Sequence, residues 1–353
     1  MKSERPLRIG FCGVGAMGQC AHLWNYAALK DCQVVAIAEP RAKTAKLVAK
    51  HYNVPKVYGD FREMLSAETL DAVVASQPFN RHGLLVPDLL KAGLPVFIEK
   101  PLAGTIAVGE RILDACRQSK GWLMVGYHKR SDPAVMWAVE QIERLKSSGE
   151  LGRLTYVRML MPAGDWVERT FDNLINGGDN PPALEMDPPA DDMDTETFNA
   201  YTSFVNYYIH QVNLVRHLLG ESWRVTYADP SGVMLAGIGD SGAAVTIEMT
   251  PYSTTRGWEE SALVAFEHGY LKIDIAPPLA VGRASRVELY EDPDYSRTPT
   301  RTIPLMAPVG SMRQQAMNFL AAVRGQRPPT CTAADAMEDI LLAREYIRLW
   351  KGL

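Results

Sequence analysis

Cysteine is scarce in this sequence: five residues in 353 (Cys12, Cys20, Cys32, Cys116, Cys331), odd in number and with no C-x-x-C spacing. That excludes a disulfide framework and the common zinc and redox motifs, and it favours a reduced, cytoplasmic protein. Long apolar runs are missing too, since none approaches the ~20 residues of a membrane span. Met1–Pro6 is too short for a secretory leader and runs straight into a strand-like segment. No basic block occurs, and 37 Lys+Arg against 41 Asp+Glu leave a formal net charge of −4. Nucleic acid therefore has no electrostatic handle. There is no internal repeat and no low-complexity tract. What remains is ordinary globular material, 47% hydrophobic and 22% charged, in a chain long enough for two domains.

The first third alternates short apolar runs with helical patterns. Leu7–Cys12, Val34–Ala38, Ala72–Ala75, Val96–Ile98 and Trp122–Val125 read as buried strands, with helices near Gly15–Leu29, Ala42–Tyr52, Arg81–Ala92 and Ile106–Ser119. Such alternation implies a parallel, doubly wound sheet. After Gly126 the pattern changes. Pro133–Ser148 reads as one long helix, with Asp132 as its N-cap, Pro133 at its first position and Gly149 as its stop. Strand-like runs then follow in series at Leu154–Leu160, Val225–Tyr227, Ala243–Met249, Ala262–Phe266, Leu271–Ile275 and Val287–Tyr290, and two helical patterns close the chain at Met312–Arg324 and Ala333–Trp350. The expectation is a doubly wound α/β domain over residues 1–126 and a C-terminal α+β domain over 127–353, built on a mostly antiparallel sheet. A Gly-, Pro- and Asp-rich stretch between Pro162 and Thr202 exceeds the usual connection length, as lids and binding segments commonly do.

Gly13-Val14-Gly15-Ala16-Met17-Gly18 is a G-x-G-x-x-G placed between an apolar strand and a helical pattern. That context separates a dinucleotide site from an incidental glycine turn. The glycines allow a tight turn, close approach of a pyrophosphate and close helix packing, and the helix N-terminus offers N–H groups to the phosphates. Glu39 follows about 20 residues on, where a carboxylate accepts hydrogen bonds from the adenosine ribose and repels a 2′-phosphate. Arg41 opposes this preference, because a guanidinium there can pair with that phosphate. The balance favours NAD over NADP. Val96-Phe97-Ile98-Glu99-Lys100-Pro101 then sets a charged pair at the carboxyl end of a buried strand, the edge at which open α/β sheets bind ligands.

These residues resemble the glucose–fructose oxidoreductase/inositol dehydrogenase/rhizopine-catabolism (Gfo/Idh/MocA) family. The matching pieces are Gly13–Gly18, Ser76-Gln77-Pro78 with Asn80 and His82, and Glu99-Lys100-Pro101. Tyr127-His128-Lys129-Arg130 and the helix carrying His210 match more loosely. The resemblance implies a Rossmann domain followed by an antiparallel sheet domain, a homo-oligomer built through that sheet, and Lys100 as the lysine that orients substrate and nicotinamide. It also sets His210 where the catalytic histidine is expected.

Phe204–Leu219 reads as one helix on which Asn206, His210, Asn213 and His217 fall within an arc of roughly 60°. Where the family often has aspartates flanking the histidine, this sequence has Asn206 and Asn213, which hydrogen-bond but carry no charge. A metal site is not expected, because seven residues from His210 to His217 is too wide for neighbouring-turn ligation. The expected activity is hydride transfer between nicotinamide and a hydroxyl of a sugar, sugar derivative or polyol. His210 acts as base, Lys100 stabilises the developing alkoxide, and Tyr127, Lys129, Trp166 and Asn206 are candidate substrate contacts. Two rival readings use the same residues. One is a glycosidase that oxidises a hydroxyl transiently, eliminates the aglycone, adds water and re-reduces on bound NAD. The other is a dinucleotide-binding protein without chemistry.

Overall fold

Small and β-branched apolar residues dominate Leu7–Cys12 (β1), Cys32–Ala38 (β2), Ala72–Ala75 (β4), Val96–Glu99 (β5) and Leu123–Gly126 (β6); Lys56–Tyr58 (β3) is short and partly exposed. The computed structural model describes residues 5–353; Met1–Glu4, part of the segment read as too short for a leader, lie outside the described residues. All six strands pair in parallel, in the order β3-β2-β1-β4-β5-β6. Every residue of β4 and β5 is buried, which is why these runs show no polar alternation. The crossovers carry helices Trp24–Ala27 (α1), Ala42–His51 (α2), Phe61–Ala67 (α3), His82–Lys91 (α4) and Ile106–Gln118 (α5). Winding reverses between β1 and β4, leaving a crevice outside the carboxyl ends of those strands.

The stretch expected as one helix from Gly15 differs. Gly18–Leu23 forms a π-helical turn that runs into the short α1. Single π-helical turns are rare and frequently found at functional sites. β3 and α3, three and seven residues long, are too short to announce themselves in the sequence.

Contacts divide the chain into two units. The first gathers the residues up to Tyr127 together with Arg169–Asp192 and Gln315–Met337; the second gathers His128–Glu168, Met193–Gln314 and Glu338–Leu353. The returning segments are integral to the first core. Phe319 packs edge-on against Tyr26, Phe97 and Trp122, at centroid separations of 6.5, 5.7 and 5.7 Å, and Phe11 meets Tyr26 at 5.4 Å. Val125 donates its N–H to the Cys331 carbonyl at 2.9 Å, which ties the last returning stretch to β6.

The second unit is built on eight strands: Leu154–Ala163 (β7), Trp223–Ala228 (β8), Met234–Gly239 (β9), Ala244–Ser253 (β10), Ser261–Phe266 (β11), Gly269–Asp274 (β12), Arg286–Glu291 (β13) and Thr300–Thr302 (β14). Their order is β14-β13-β12-β11-β7-β10-β9-β8, antiparallel throughout except for the β7–β10 pair. β9 and β11 alternate buried and half-buried residues, as expected of a sheet with one covered face. Pro133–Ser148 (α6) packs on β12 and β13. Its start is as read from the sequence, with Asp132 accepting from the Ala134 N–H at 2.9 Å and Pro133 in the first turn. The remaining helices are Thr195–Tyr207 (α7), Ile209–Leu219 (α8), Ser311–Val323 (α9) and Ala333–Lys351 (α10). Among the described residues no helix is long and apolar enough to cross a membrane.

The expected single helix Phe204–Leu219 is therefore two. Tyr208 (φ −101°, ψ −1°) separates α7 from α8, and its hydroxyl pairs with Thr250 Oγ1 on β10. Asn206 ends exposed near the end of α7, on a different helix from His210.

Candidate active site

In the first unit the candidate residues gather at the carboxyl ends of β1, β2, β4 and β5. Gly13 turns the chain out of β1 at φ +91°, and its N–H donates to the Ala38 carbonyl at the end of β2. A Cβ there would fall 2.4 Å from Gln77 Nε2 and 2.5 Å from the Ser76 carbonyl oxygen, so only glycine fits both the backbone and the space. A Cβ on Gly18 would lie 2.6 Å from the Gly13 carbonyl oxygen, which is the close helix–strand approach the third glycine permits. Between them Gly15, Ala16 and Met17 are half-buried, leaving backbone at the edge of the sheet.

Glu39 is buried at the end of β2. One oxygen accepts from the Val14 N–H at 3.0 Å, and Arg41 grips both oxygens, Nε at 2.7 Å and Nη2 at 2.9 Å. Burial alone would raise its pKa. The Arg41 guanidinium and the Val14 and Arg41 N–H groups outweigh burial and hold it below the usual glutamate range. Charge is thus neutralised locally at the position expected to face the adenosine ribose.

The loop after β4 carries Ser76, Gln77, Pro78 and Asn80, and is tied to β1 by Ser76 N–H donating to the Cys12 carbonyl at 3.0 Å. His82 opens α4 fully buried, with Nδ1 3.2 Å from the Pro101 carbonyl and 3.1 Å from that of Leu102. Burial holds its pKa below the usual histidine range, against those carbonyls and Glu99. A neutral, donating imidazole thereby fixes the backbone that follows Lys100. The Lys100–Pro101 peptide is cis. On the other side, Glu99 is buried in a short hydrogen bond with His22 Nε2, and its second oxygen accepts from the Lys100 N–H at 3.2 Å. His22 belongs to the π-helical turn and packs edge-on against Phe97 at 5.1 Å. Lys100 itself is half-buried at the end of β5. Its backbone is held from both flanks, by His22 through Glu99 and by His82.

In the second unit the turn His128–Ser131 meets α8 through successive residues. The His128 ring stands edge-on to His210 at 4.7 Å, and its Nδ1 lies 2.8 Å from Ser311 Oγ. The Lys129 ammonium pairs with Glu260 at 2.7 Å, both side chains almost wholly buried, and Gln211 Nε2 donates to the other Glu260 oxygen. Arg130 Nε donates to Asn213 Oδ1 at 2.7 Å, Asn213 Nδ2 donates to Asp339 at 2.6 Å, and Arg216 completes the group at 2.9 Å from Asp339. Burial raises the Asp339 pKa, opposed by Arg216 and Asn213. Asn213 is here a neutral bridge between the Arg130 guanidinium and the Asp339 carboxylate, with Arg216 paired to the same carboxylate. Tyr127, the last residue of the first unit's opening segment, is buried. Trp166 is half-buried in the loop after β7, where its carbonyl accepts from the Leu279 N–H at 3.2 Å.

Sequence reasoning did not find His22 or Glu260. His22 lies within a stretch that scans as an ordinary helix. Glu260 meets Lys129 across 131 residues, with no local spacing to announce it. Among the described residues no cluster of three or more His, Cys, Asp or Glu side chains is arranged to hold a metal ion.

A six-stranded parallel sheet in this order, with a glycine turn at the end of β1, defines a dinucleotide-binding Rossmann unit. Residues 7–127 match the family model described as an oxidoreductase family with an NAD-binding Rossmann fold. Over that unit the chain is similar to the Gfo/Idh/MocA oxidoreductases. An inositol 2-dehydrogenase of Acidothermus cellulolyticus is 30% identical over 175 residues, 49% of this chain and 50% of that protein. One from Burkholderia cenocepacia is 24% identical over 96% of this chain and 97% of its own. The chain spans about half the length of several of the first curated relatives it matches. In fold it is similar to the aldose–aldose oxidoreductase of Caulobacter crescentus, with TM-score 0.70 and 18% identity over 99% of this chain and 98% of that one.

Proposed function

We propose that this protein is an NAD-dependent oxidoreductase that transfers a hydride between nicotinamide and a hydroxyl-bearing carbon of a sugar, sugar derivative or polyol. One observation carries the reading. Lys100 stands at the carboxyl end of β5, on the sheet edge that also bears the Gly13–Gly18 turn, with its backbone braced by Glu99–His22 and by His82. The printed names of the relatives, inositol dehydrogenases and a sugar oxidoreductase, support the substrate class.

A bound nicotinamide would supply the hydride acceptor for the carbinol carbon in the oxidising direction, and His210 would take the hydroxyl proton. An imidazole suits such exchange near neutrality. The Lys100 ammonium hydrogen-bonds the same oxygen as alkoxide character develops. Gly13, Gly15, Ala16, Met17 and Gly18 receive the pyrophosphate, with Ser76, Gln77, Pro78, Asn80, His82 and Glu99 shaping the nicotinamide half. The Glu39 carboxylate favours NAD; its pairing with Arg41 leaves NADP the weaker cofactor. Tyr127, Trp166 and Asn206 remain proposed substrate contacts. Lys129 enters through Glu260 and Gln211, which fix the first turn of α8 beside His210. We further infer a homo-oligomer, and a cytoplasmic location in keeping with free thiols at all five cysteines.

The test is a panel of sugars, polyols and glycosides with NAD and NADP, following reduced cofactor and products together. Accumulating reduced nicotinamide supports the dehydrogenase, while aglycone release without it supports the glycosidase. Lys100→Ala is expected to abolish turnover on the productive substrate while NAD binding survives. Full activity in that variant would end the assignment.

A further inference from the structure

Residues 169–192 leave the second unit's β7 loop and pack with the Rossmann unit. Their anchors are specific. Ile175 exchanges two backbone hydrogen bonds with the buried Gln19 side chain, its N–H donating to Oε1 and its carbonyl accepting from Nε2, each at 3.0 Å. Gln19 lies just past the glycine turn and also donates to the Val14 carbonyl at 2.8 Å. Four residues on, the Asp179 carboxylate accepts the N–H groups of Lys43 at 2.7 Å and Thr44 at 3.1 Å, and the Thr44 hydroxyl at 2.6 Å. It caps α2, whose own N-cap residue Arg41 supplies no side-chain cap. A third anchor follows at α4. The Asp187 carboxylate accepts from the Gly83 N–H at 2.8 Å and pairs with Arg111 at 2.7 Å, while its backbone N–H donates to the Asn80 carbonyl at 2.6 Å. Here too the helix's own N-cap residue, Arg81, makes no side-chain cap, and its guanidinium Nε donates to the Glu185 carbonyl at 2.9 Å.

The location of these anchors gives the segment its meaning. Gln19 follows β1, Thr44 follows β2, and Asn80 and Gly83 follow β4. In a sheet ordered β2-β1-β4 those three strand ends are neighbours, and the β1/β4 crevice is where dinucleotides bind in doubly wound sheets. Chain from elsewhere thus fastens on both sides of that crevice. β2 and β4 lie two strand spacings apart, about 10 Å. Eight residues from Asp179 to Asp187 reach roughly 26 Å when extended. The excess length lets the span arch outward, and the intervening Pro181, Pro182, Ala183, Glu185 and Met186 are exposed while Asp187 is buried. Two consecutive prolines stiffen the arch and bias it to extended backbone.

We propose that Ile175–Asp187 is a further element of the dinucleotide site, a strap that closes over the bound cofactor and slows its release. The inference rests on the reading of Gly13–Gly18 as the dinucleotide site. Release then requires the strap to leave α2 or α4, breaking charge-assisted hydrogen bonds at one end. Closure sets the dissociation rate more than the encounter rate.

The experiment is stopped-flow release of NADH from the full chain, chased with excess NAD+, in wild type and in the Asp179→Ala/Asp187→Ala double variant. Asp60→Ala is the control. It removes an equivalent carboxylate cap, from the Arg62 N–H of α3, a helix that takes no part in the three anchors. The strap predicts at least a tenfold faster release in the double variant and release within twofold of wild type in the control. Release within twofold of wild type in the double variant overturns the strap, as does equal acceleration in the control. If wild type binds neither NADH nor NADPH, the dinucleotide reading itself falls and takes the strap with it.

Discussion

Removing the Glu260 carboxylate is the severest single test of how the second unit positions α8. Lys129 and Glu260 are 3% and 0% exposed and 2.7 Å apart, and Gln211 donates to the remaining Glu260 oxygen. Glu260→Ala strands an ammonium away from water and leaves the Gln211 amide without its acceptor. Breaking a buried pair by deleting one partner costs about 3–5 kcal/mol. At about 1.36 kcal/mol per decade, that is a factor of roughly 10²·² to 10³·⁷ in the folding equilibrium. Substituting both partners by apolar residues of similar size, Lys129→Met/Glu260→Leu, removes the stranded charge. The double variant should then recover most of the loss, with about 1–3 kcal/mol remaining from the unanswered Gln211 N–H. Urea unfolding followed by far-UV circular dichroism reads these differences as midpoint shifts at constant slope. A Glu260→Ala variant within about 1 kcal/mol of wild type would refute the reasoning, as would a double variant no more stable than the single one.

Two further outcomes follow from the first unit. Glu39 has a lowered folded-state pKa, so its contribution to stability is fully present above the ordinary glutamate value near ~4.3 and is lost as pH falls through the lowered one. The thermal midpoint gap between wild type and Glu39→Gln, measured without cofactor, should therefore be largest at neutral pH and shrink below about pH 4; a gap constant with pH contradicts this. Gly13→Ala places a Cβ 2.4 Å from Gln77 Nε2 and 2.5 Å from the Ser76 oxygen at φ +91°. Backbone strain alone predicts a loss of about 1–3 kcal/mol, with NAD binding weakened in titration calorimetry; wild-type stability and affinity would show that the turn tolerates a side chain.

Elements whose signal is local were legible in advance. β4 is a continuous apolar run and β1 an apolar run broken only by Arg8, both flanked by turn residues, and α6 carries its own cap, proline and glycine stop, so their bounds agree with the sequence reading residue for residue. The π-helical turn at Gly18–Leu23 was not legible, because it is six residues long and buried all round, so it shows no stripe from which a period could be read. Nor was the break at Tyr208, where the flanking residues suit a helix and the tyrosine hydroxyl pairs with Thr250 on a strand 42 residues away. That break separates Asn206 from His210, which a single helical wheel had set on one stripe.

For the candidate site, the sequence by itself determined the chemistry-bearing side chains at strand ends. The glycine turn, Glu39 and Lys100 lie where an apolar run stops, and a parallel sheet delivers every such end to one edge. Only the tertiary structure decided what each of those groups touches. Arg41 folds onto Glu39, His22 reaches Glu99 across 77 residues, and Asp179 and Asp187 cap helices that begin more than 100 residues earlier. A buried or partly buried charge must find its partner in space, and the chain's local pattern carries no record of which distant residue folding will bring to it.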